Sequence, residues 1–287
     1  MSVQRAPRSP PARARAAPAP IEPFAMTLTL VQYLLGAFSG SLVGLSLGLF
    51  GGGGSILAVP LMVYLVGVPG AHMAIGTSAF AVAANAAGNL VTHARLGHVK
   101  WRCAFVYSAA GIVGALAGST LGKLIDGEQL LFAFALLMIG VGIMMFRHRG
   151  HGGDHDIECN RQNAPKVVGY GAGTGAFSGF FGIGGGFLIV PSLVAATGMT
   201  MLNAIGTSLV AITAFGLTTA LNYALSGYVD WPLALVFIAG GLAGGVAGAY
   251  IARWLSGRKG ALDIAFAGLI MLVAIYMLVK SGLAFLG

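Results

Sequence analysis

Ten apolar stretches separated by short polar loops fill residues 27–285 of the chain. They run over 27–50, 56–68, 71–92, 101–122, 128–146, 167–182, 187–197, 203–226, 231–252 and 261–285. A helix needs about 20 residues to cross the hydrocarbon core of a bilayer, and most of these stretches qualify. The stretches 56–68 and 187–197 do not, and each directly follows a glycine cluster. GLFGGGGSILAVP occupies residues 48–60 and GFFGIGGGFLIVP residues 179–191. Runs this continuous lack the alternating segments of a transmembrane barrel, so they predict an all-α polytopic membrane protein.

The two halves keep step. Pro60 and Pro191 are 131 residues apart, while AIGTS at 74–78 and again at 204–208 is displaced by 130. Trp101 corresponds to Trp231, and the pair Gly114/Gly118 to Gly244/Gly248. Several independent landmarks at nearly one spacing read as internal duplication. The chain thus divides into residues 1–25, a first repeat over 26–146, a polar linker over 147–166 and a second repeat over 167–287. Six prolines and four arginines in 1–25 predict a disordered tail.

Five stretches per half is an odd number, so the second repeat would be inverted relative to the first. Placing Arg95, Lys100, Arg102, the linker cations, Arg253, Arg258 and Lys259 inside leaves Lys123 and Lys280 outside. The four tail arginines then fall outside, against the rule, whereas parallel repeats would instead expose Arg253, Arg258 and Lys259.

Composition agrees with a membrane protein. The chain is 57% hydrophobic and 8% charged, with a mean hydropathy of +0.86. Its net charge of +8 follows from Lys and Arg in cytoplasmic loops and calls for no nucleic acid partner. The two cysteines, Cys103 and Cys159, imply no disulfide framework.

Backbone leaves the helix at membrane depth only where protein or a water-filled cavity satisfies its polar groups. A glycine-rich break before a short half-helix therefore predicts an irregular loop at that depth. Its free N–H groups and the helix dipole favour an anion. The expected donors are Gly51, Gly52, Gly53, Gly54 and Ser55 in the first half, with Gly182, Gly184, Gly185 and Gly186 in the second. Two inverted breaks would meet near the midplane in one binding site. Gly114/Gly118 and Gly244/Gly248 are read instead as close helix packing.

The third stretch of each half adds polar side chains. Ser78, Asn85, Asn89 and Thr92 share one helix face at 100° per residue. Ser208, Thr219 and Asn222 stand at the equivalents of 78, 89 and 92, with Phe215 replacing Asn85. Ser78, Asn85, Asn89, Ser208 and Asn222 are taken as cavity-lining residues; interhelical hydrogen bonding would explain the same seam. His72 and His93 lie near the ends of the third stretch and read as interfacial. No paired carboxylates, catalytic triad or HExxH motif occurs, so no enzyme activity, catalytic residue or cofactor is expected. His148, His151, His155 and Cys159 fit no standard zinc spacing, so no metal site is expected either.

The doubled GLFGGGGSILAVP and GFFGIGGGFLIVP, each followed by AIGTS, resembles the TauE/SafE sulfite exporter family, also known as 4-toluene sulfonate uptake permeases. The resemblance covers residues from about 27 to 285. It implies a multi-pass transporter of the bacterial inner membrane, carrying sulfite, organosulfonates or other small sulfur-containing anions. The residues themselves leave three readings open: a carrier working by alternating access, a passive anion channel, and a membrane assembly or structural protein whose glycines serve only packing. With no ionisable side chain at mid-stretch, the expectation for a carrier is electrogenic, uncoupled anion movement, with His72 and His93 the groups able to titrate near neutral pH.

Overall fold

The computed structural model describes residues 28–147, 163–182, 186–256 and 261–286. Nearly all of them are helical, and the helices fall within a few residues of the ten apolar stretches. In the first half they are α1 (Leu30–Phe50), α2 (Ser55–Val66), α3 (Ala71–Arg95), α4 (Trp101–Gly122) and α5 (Gly127–Arg147). The second half contributes α6 (Ala164–Phe181), α7 (Gly186–Thr197), α8 (Met201–Ala224), α9 (Trp231–Ser256) and α10 (Ala261–Leu286). Six helices among the described residues are long and apolar enough to cross a membrane: α1, α3, α4, α5, α8 and α9. The tail expected to be disordered and the linker cluster His148, His151, His155 and Cys159 lie outside the described residues.

Local signals set several boundaries. Thr29 caps α1 through a reciprocal pair with Gln32, and Thr200 caps α8 by accepting from Asn203 N–H. Pro60 lies inside α2, where its missing N–H precedes a wider turn over Leu61–Val66. The chain between α1 and α2 is a tight 3₁₀ turn, Gly51–Gly54. A methyl group on Gly54 would strike the backbone of Leu47, and Gln32 Nε2 donates to Val66 O at 3.2 Å. The short helix therefore folds back along α1.

Glycine dictates how the long helices pair. Gly40, Gly44 and Gly48 of α1 lie against Phe237, Gly241 and Gly245 of α9, so the two helices run parallel with backbones in contact. Gly240, Gly244 and Gly248 answer from α9 against Ala37, Ser41 and Leu45. Gly171, Gly175 and Gly179 of α6 meet Tyr107, Gly111 and Ala115 of α4 in the same parallel manner. The packing role expected for Gly114/Gly118 and Gly244/Gly248 is what the structure shows: a side chain at any of them would overlap the neighbouring helix backbone.

Between these glycine-lined pairs, α3 and α8 cross in antiparallel fashion, with Gly76 beside Tyr223 and Gly216 on Ala79 and Ala83. The helices α5 and α10 pack on each other and cover the glycine turns with aromatic rings. Phe266 of α10 stacks on Phe50 at 5.6 Å, and Phe134 of α5 lies 5.6 Å from Phe181 and 5.7 Å from Phe187. Leu30, Val113, Leu235 and Leu272 are exposed on the outside, a surface suited to lipid. Trp101, Trp231 and Trp254 are exposed near helix ends, as in an interfacial aromatic belt.

The cations divide between the two ends. The loop at residues 96–100 lies with the C-terminal end of α9, close enough for Arg253 to act electrostatically on His98. At the other end Lys123 reaches Asn222 and Ser226, and Gly127 abuts Ala71.

Candidate functional site

The two glycine turns meet. A methyl group on Gly52 would overlap the backbone of Gly186, and one on Gly186 would overlap that of Gly52. Gly51 ends α1 with φ of 60°, and Gly182 ends α6 with φ of 65°. Side chains rarely adopt that backbone, so glycine is needed there independently of space. Ser55 Oγ donates to Gly52 O at 2.8 Å and closes the first turn from within. Gly53 and Gly54 complete that turn. Gly184 and Gly185 lie outside the described residues.

The AIGTS segments hold this junction from both sides. Gly51 lies against Ile205 O and Ser208 Oγ, while Gly182 lies against the Ile75 side chain. Ser78 Oγ donates to Ile75 O at 3.0 Å and Ser208 Oγ to Ile205 O at 2.8 Å. The threonines reach across. Asp230 N–H donates to Thr77 Oγ1 at 2.9 Å, and Lys100 N–H to Thr207 Oγ1 at 3.0 Å. Gly76 makes room for Tyr228 O and Gly206 for His98 O. Each segment thereby anchors the loop that precedes α9 or α4 in the opposite half. The sequence marked AIGTS as a repeat and its serines as cavity-lining, not as a loop anchor; the duplicated threonine was the available sign of this role.

Asn85 and Asn89 project from α3 onto Gly241 and Gly245 of α9, where the absent side chains leave room. Both are buried, and Asn89 Nδ2 donates to Asn85 O at 3.0 Å. Among the described residues neither Oδ1 nor Nδ2 of Asn85 has a partner. Phe215, its counterpart in α8, covers Gly111 and stacks on Tyr107, so an apolar side chain serves the equivalent packing position. Asn222 does not join this group. It accepts from Lys123 Nζ at 2.7 Å and donates to Ser119 Oγ at 2.6 Å and Thr120 Oγ1 at 3.1 Å.

His93, read as interfacial from its place near the end of its stretch, is fully buried within the protein, with Nε2 3.0 Å from the carbonyl oxygen of Gly48, just before the first turn. Its Nδ1 faces Nδ1 of His98 at 3.4 Å. His98 lies outside the helices and is half-buried; burial, reinforced by His93 and Arg253, lowers its basicity below that of an ordinary imidazole. His72 is partly buried beside the rings of Tyr223 and Tyr228. No group of three or more metal-ligating side chains occurs among the described residues.

The glycine junction, rather than any cluster of reactive side chains, is thus the distinctive construction at the centre of the bundle. The profile described as "Sulfite exporter TauE/SafE" matches residues 36–277. A "Probable membrane transporter protein" of Xylella fastidiosa is 49% identical over 260 residues, covering 88% of this chain and 98% of its own. One of Methanocaldococcus jannaschii is 30% identical over 69% of this chain and 78% of its own, and one of Haemophilus influenzae 30% over 70% and 76%. No solved structure matches the chain. The apolar helices, the paired glycine turns and this similarity over nearly the whole chain place it in the TauE/SafE family of membrane transporters.

Proposed function

We propose that the protein carries small sulfur-containing anions, sulfite or organosulfonates, across the bacterial inner membrane by alternating access. The observation that carries this reading is the backbone contact between Gly52 and Gly186. Two half-helices, α2 and α7, start at that contact, so their N-terminal ends converge. Converging N–H groups and helix dipoles favour negative charge. The candidate residues Gly51–Ser55, Gly182–Gly186, Ser78, Asn85, Asn89 and Ser208 include no carboxylate to repel an anion. Asn222 remains a candidate for the approach to the site rather than its centre.

Inverted repeats fit the helix pairing. Under the 130-residue correspondence, α1 with α9 is the counterpart of α6 with α4, and α3–α8 and α5–α10 are their own counterparts. Such pairing is what a two-fold relation between the halves produces. Opposed halves closing alternately on a site between them is the usual consequence of this construction.

The test is binding to the purified full chain, using sulfite, sulfate, thiosulfate and methanesulfonate as probes. Saturable binding of sulfite or methanesulfonate, weakened by Ser208→Ala and Asn89→Ala, supports the proposal. Absence of binding for all four by folded protein contradicts it. Flux that never saturates would identify a passive channel.

A further inference from the structure

Resting on the anion-carrier reading, we propose that His93 and His98 form a proton-binding site that couples anion movement to protons. The geometry fixes how the pair is protonated. Gly48 O can only accept, so His93 Nε2 must carry hydrogen to bond with it at 3.0 Å. In a neutral ring this leaves a lone pair on Nδ1, and the hydrogen between the two facing Nδ1 atoms, 3.4 Å apart, belongs to His98. One added proton leaves a single hydrogen between the facing Nδ1 atoms, whereas a proton on each ring would point two N–H groups at each other. The pair therefore cannot be doubly charged without separating.

Separation has somewhere to act. His93 holds the end of α1 at Gly48, three residues before Gly51. His98 belongs to the loop whose carbonyl packs on Gly206 and whose Lys100 N–H bonds Thr207. The next residue, Ser208, touches Gly51. The pair therefore spans the two supports of the first glycine turn, and Asn89, one helical turn before His93, lies on Gly245 of α9, which itself meets Gly48.

The surroundings leave the proton few alternatives. Neither α1 nor α8 contains a charged side chain. From α9 Arg253 faces His98 and opposes its protonation; Arg95 follows on α3 itself, and Lys100 lies in the loop. No carboxylate lies in residues 71–122, which contain both histidines. An anion at the turn would balance an added positive charge, which is the physical basis for coupling. The expectation of uncoupled movement rested on the lack of an ionisable side chain at mid-stretch and set His72 and His93 apart as the groups able to titrate; the contact of His93 with Gly48 and His98 makes it the candidate for coupling.

The experiment uses the full chain in liposomes with voltage clamped at zero. Methanesulfonate is the main probe because it does not titrate near neutral pH, and sulfite is run in parallel at equal pH. The first arm imposes only an anion gradient. The second imposes equal anion and a pH gradient of one unit, worth about tenfold accumulation for one proton per anion. Wild-type protein is expected to accumulate methanesulfonate several-fold on the alkaline side. His93→Gln, whose amide can still donate to Gly48 O, and His98→Gln should both lose accumulation while retaining flux down an anion gradient. Gradient-driven flux without pH-driven accumulation overturns the coupling and leaves the anion reading intact. Accumulation undiminished in both variants also overturns the assignment to this pair. No flux of either anion from folded protein overturns both readings together.

Discussion

Asn85 separates function from packing better than any other single side chain. Its amide is fully buried with neither polar atom satisfied, a situation that costs about 1–3 kcal/mol. Its counterpart Phe215 shows that an apolar side chain can cover the facing glycine. Asn85→Leu should therefore leave thermal unfolding in detergent unchanged or raised, while lowering anion flux at least several-fold. Flux at the wild-type level would remove Asn85 from the transport path. Thr77 and Thr207 give the opposite pattern, since each accepts one cross-half hydrogen bond. Thr77→Val and Thr207→Val keep shape and remove that bond, so each should cost about 1 kcal/mol in an unfolding measurement. A wholly neutral pair would mean that the loops are held by packing alone. The asparagine face was legible in the sequence because residues four apart share a helix face. The threonine contacts were not, because their partners stand more than a hundred residues away. Burial of His93 was equally hidden, since a histidine near the end of an apolar stretch also suits an interface.

Helix existence followed directly from the apolar stretches and their length, and both short helices were legible from the glycines before them. Their course was not: the return of α2 along α1 depends on Gly54 meeting Leu47 and on the Gln32–Val66 bond. Pairing of the long helices was only half visible. Four-residue glycine spacing in α4 and α9 announces close packing, but it does not name the helix that approaches. Gly175 and Gly173 of α6 supply an internal comparison. A side chain on Gly175 would overlap the Gly111 backbone, whereas nothing lies within 4 Å of one on Gly173. Gly175→Leu should sharply reduce folded yield, since overpacking costs about 1–3 kcal/mol or more when backbone cannot move aside. Gly173→Leu should express and run on size exclusion like wild type. Equal behaviour of the two would contradict the α4–α6 contact.

The chain as a whole is proposed to be two inverted halves closing on one central junction. Duplication was legible from landmarks spaced 130 and 131 residues apart, but sequence charge alone left inversion in competition with a parallel arrangement. Leu124 and Trp254 are equivalent positions, 79% and 64% exposed, near the ends of α4 and α9. Single cysteines there, in a background with Cys103 and Cys159 replaced by Ser, should label from opposite faces of the membrane. Labelling of both from the same face would establish parallel repeats and separate the two glycine turns by topology.

Carrier function at the glycine junction is tested most directly by counterflow. Liposomes containing the full chain are preloaded with unlabelled sulfite, diluted, and given a trace of labelled sulfite outside at equal pH and zero voltage. A carrier with a saturable central site should concentrate label transiently above its external level, and Asn85→Leu should abolish that overshoot without loss of folded protein. Equilibration without overshoot would mark a channel, and no protein-dependent uptake of sulfite or of methanesulfonate would contradict anion transport itself.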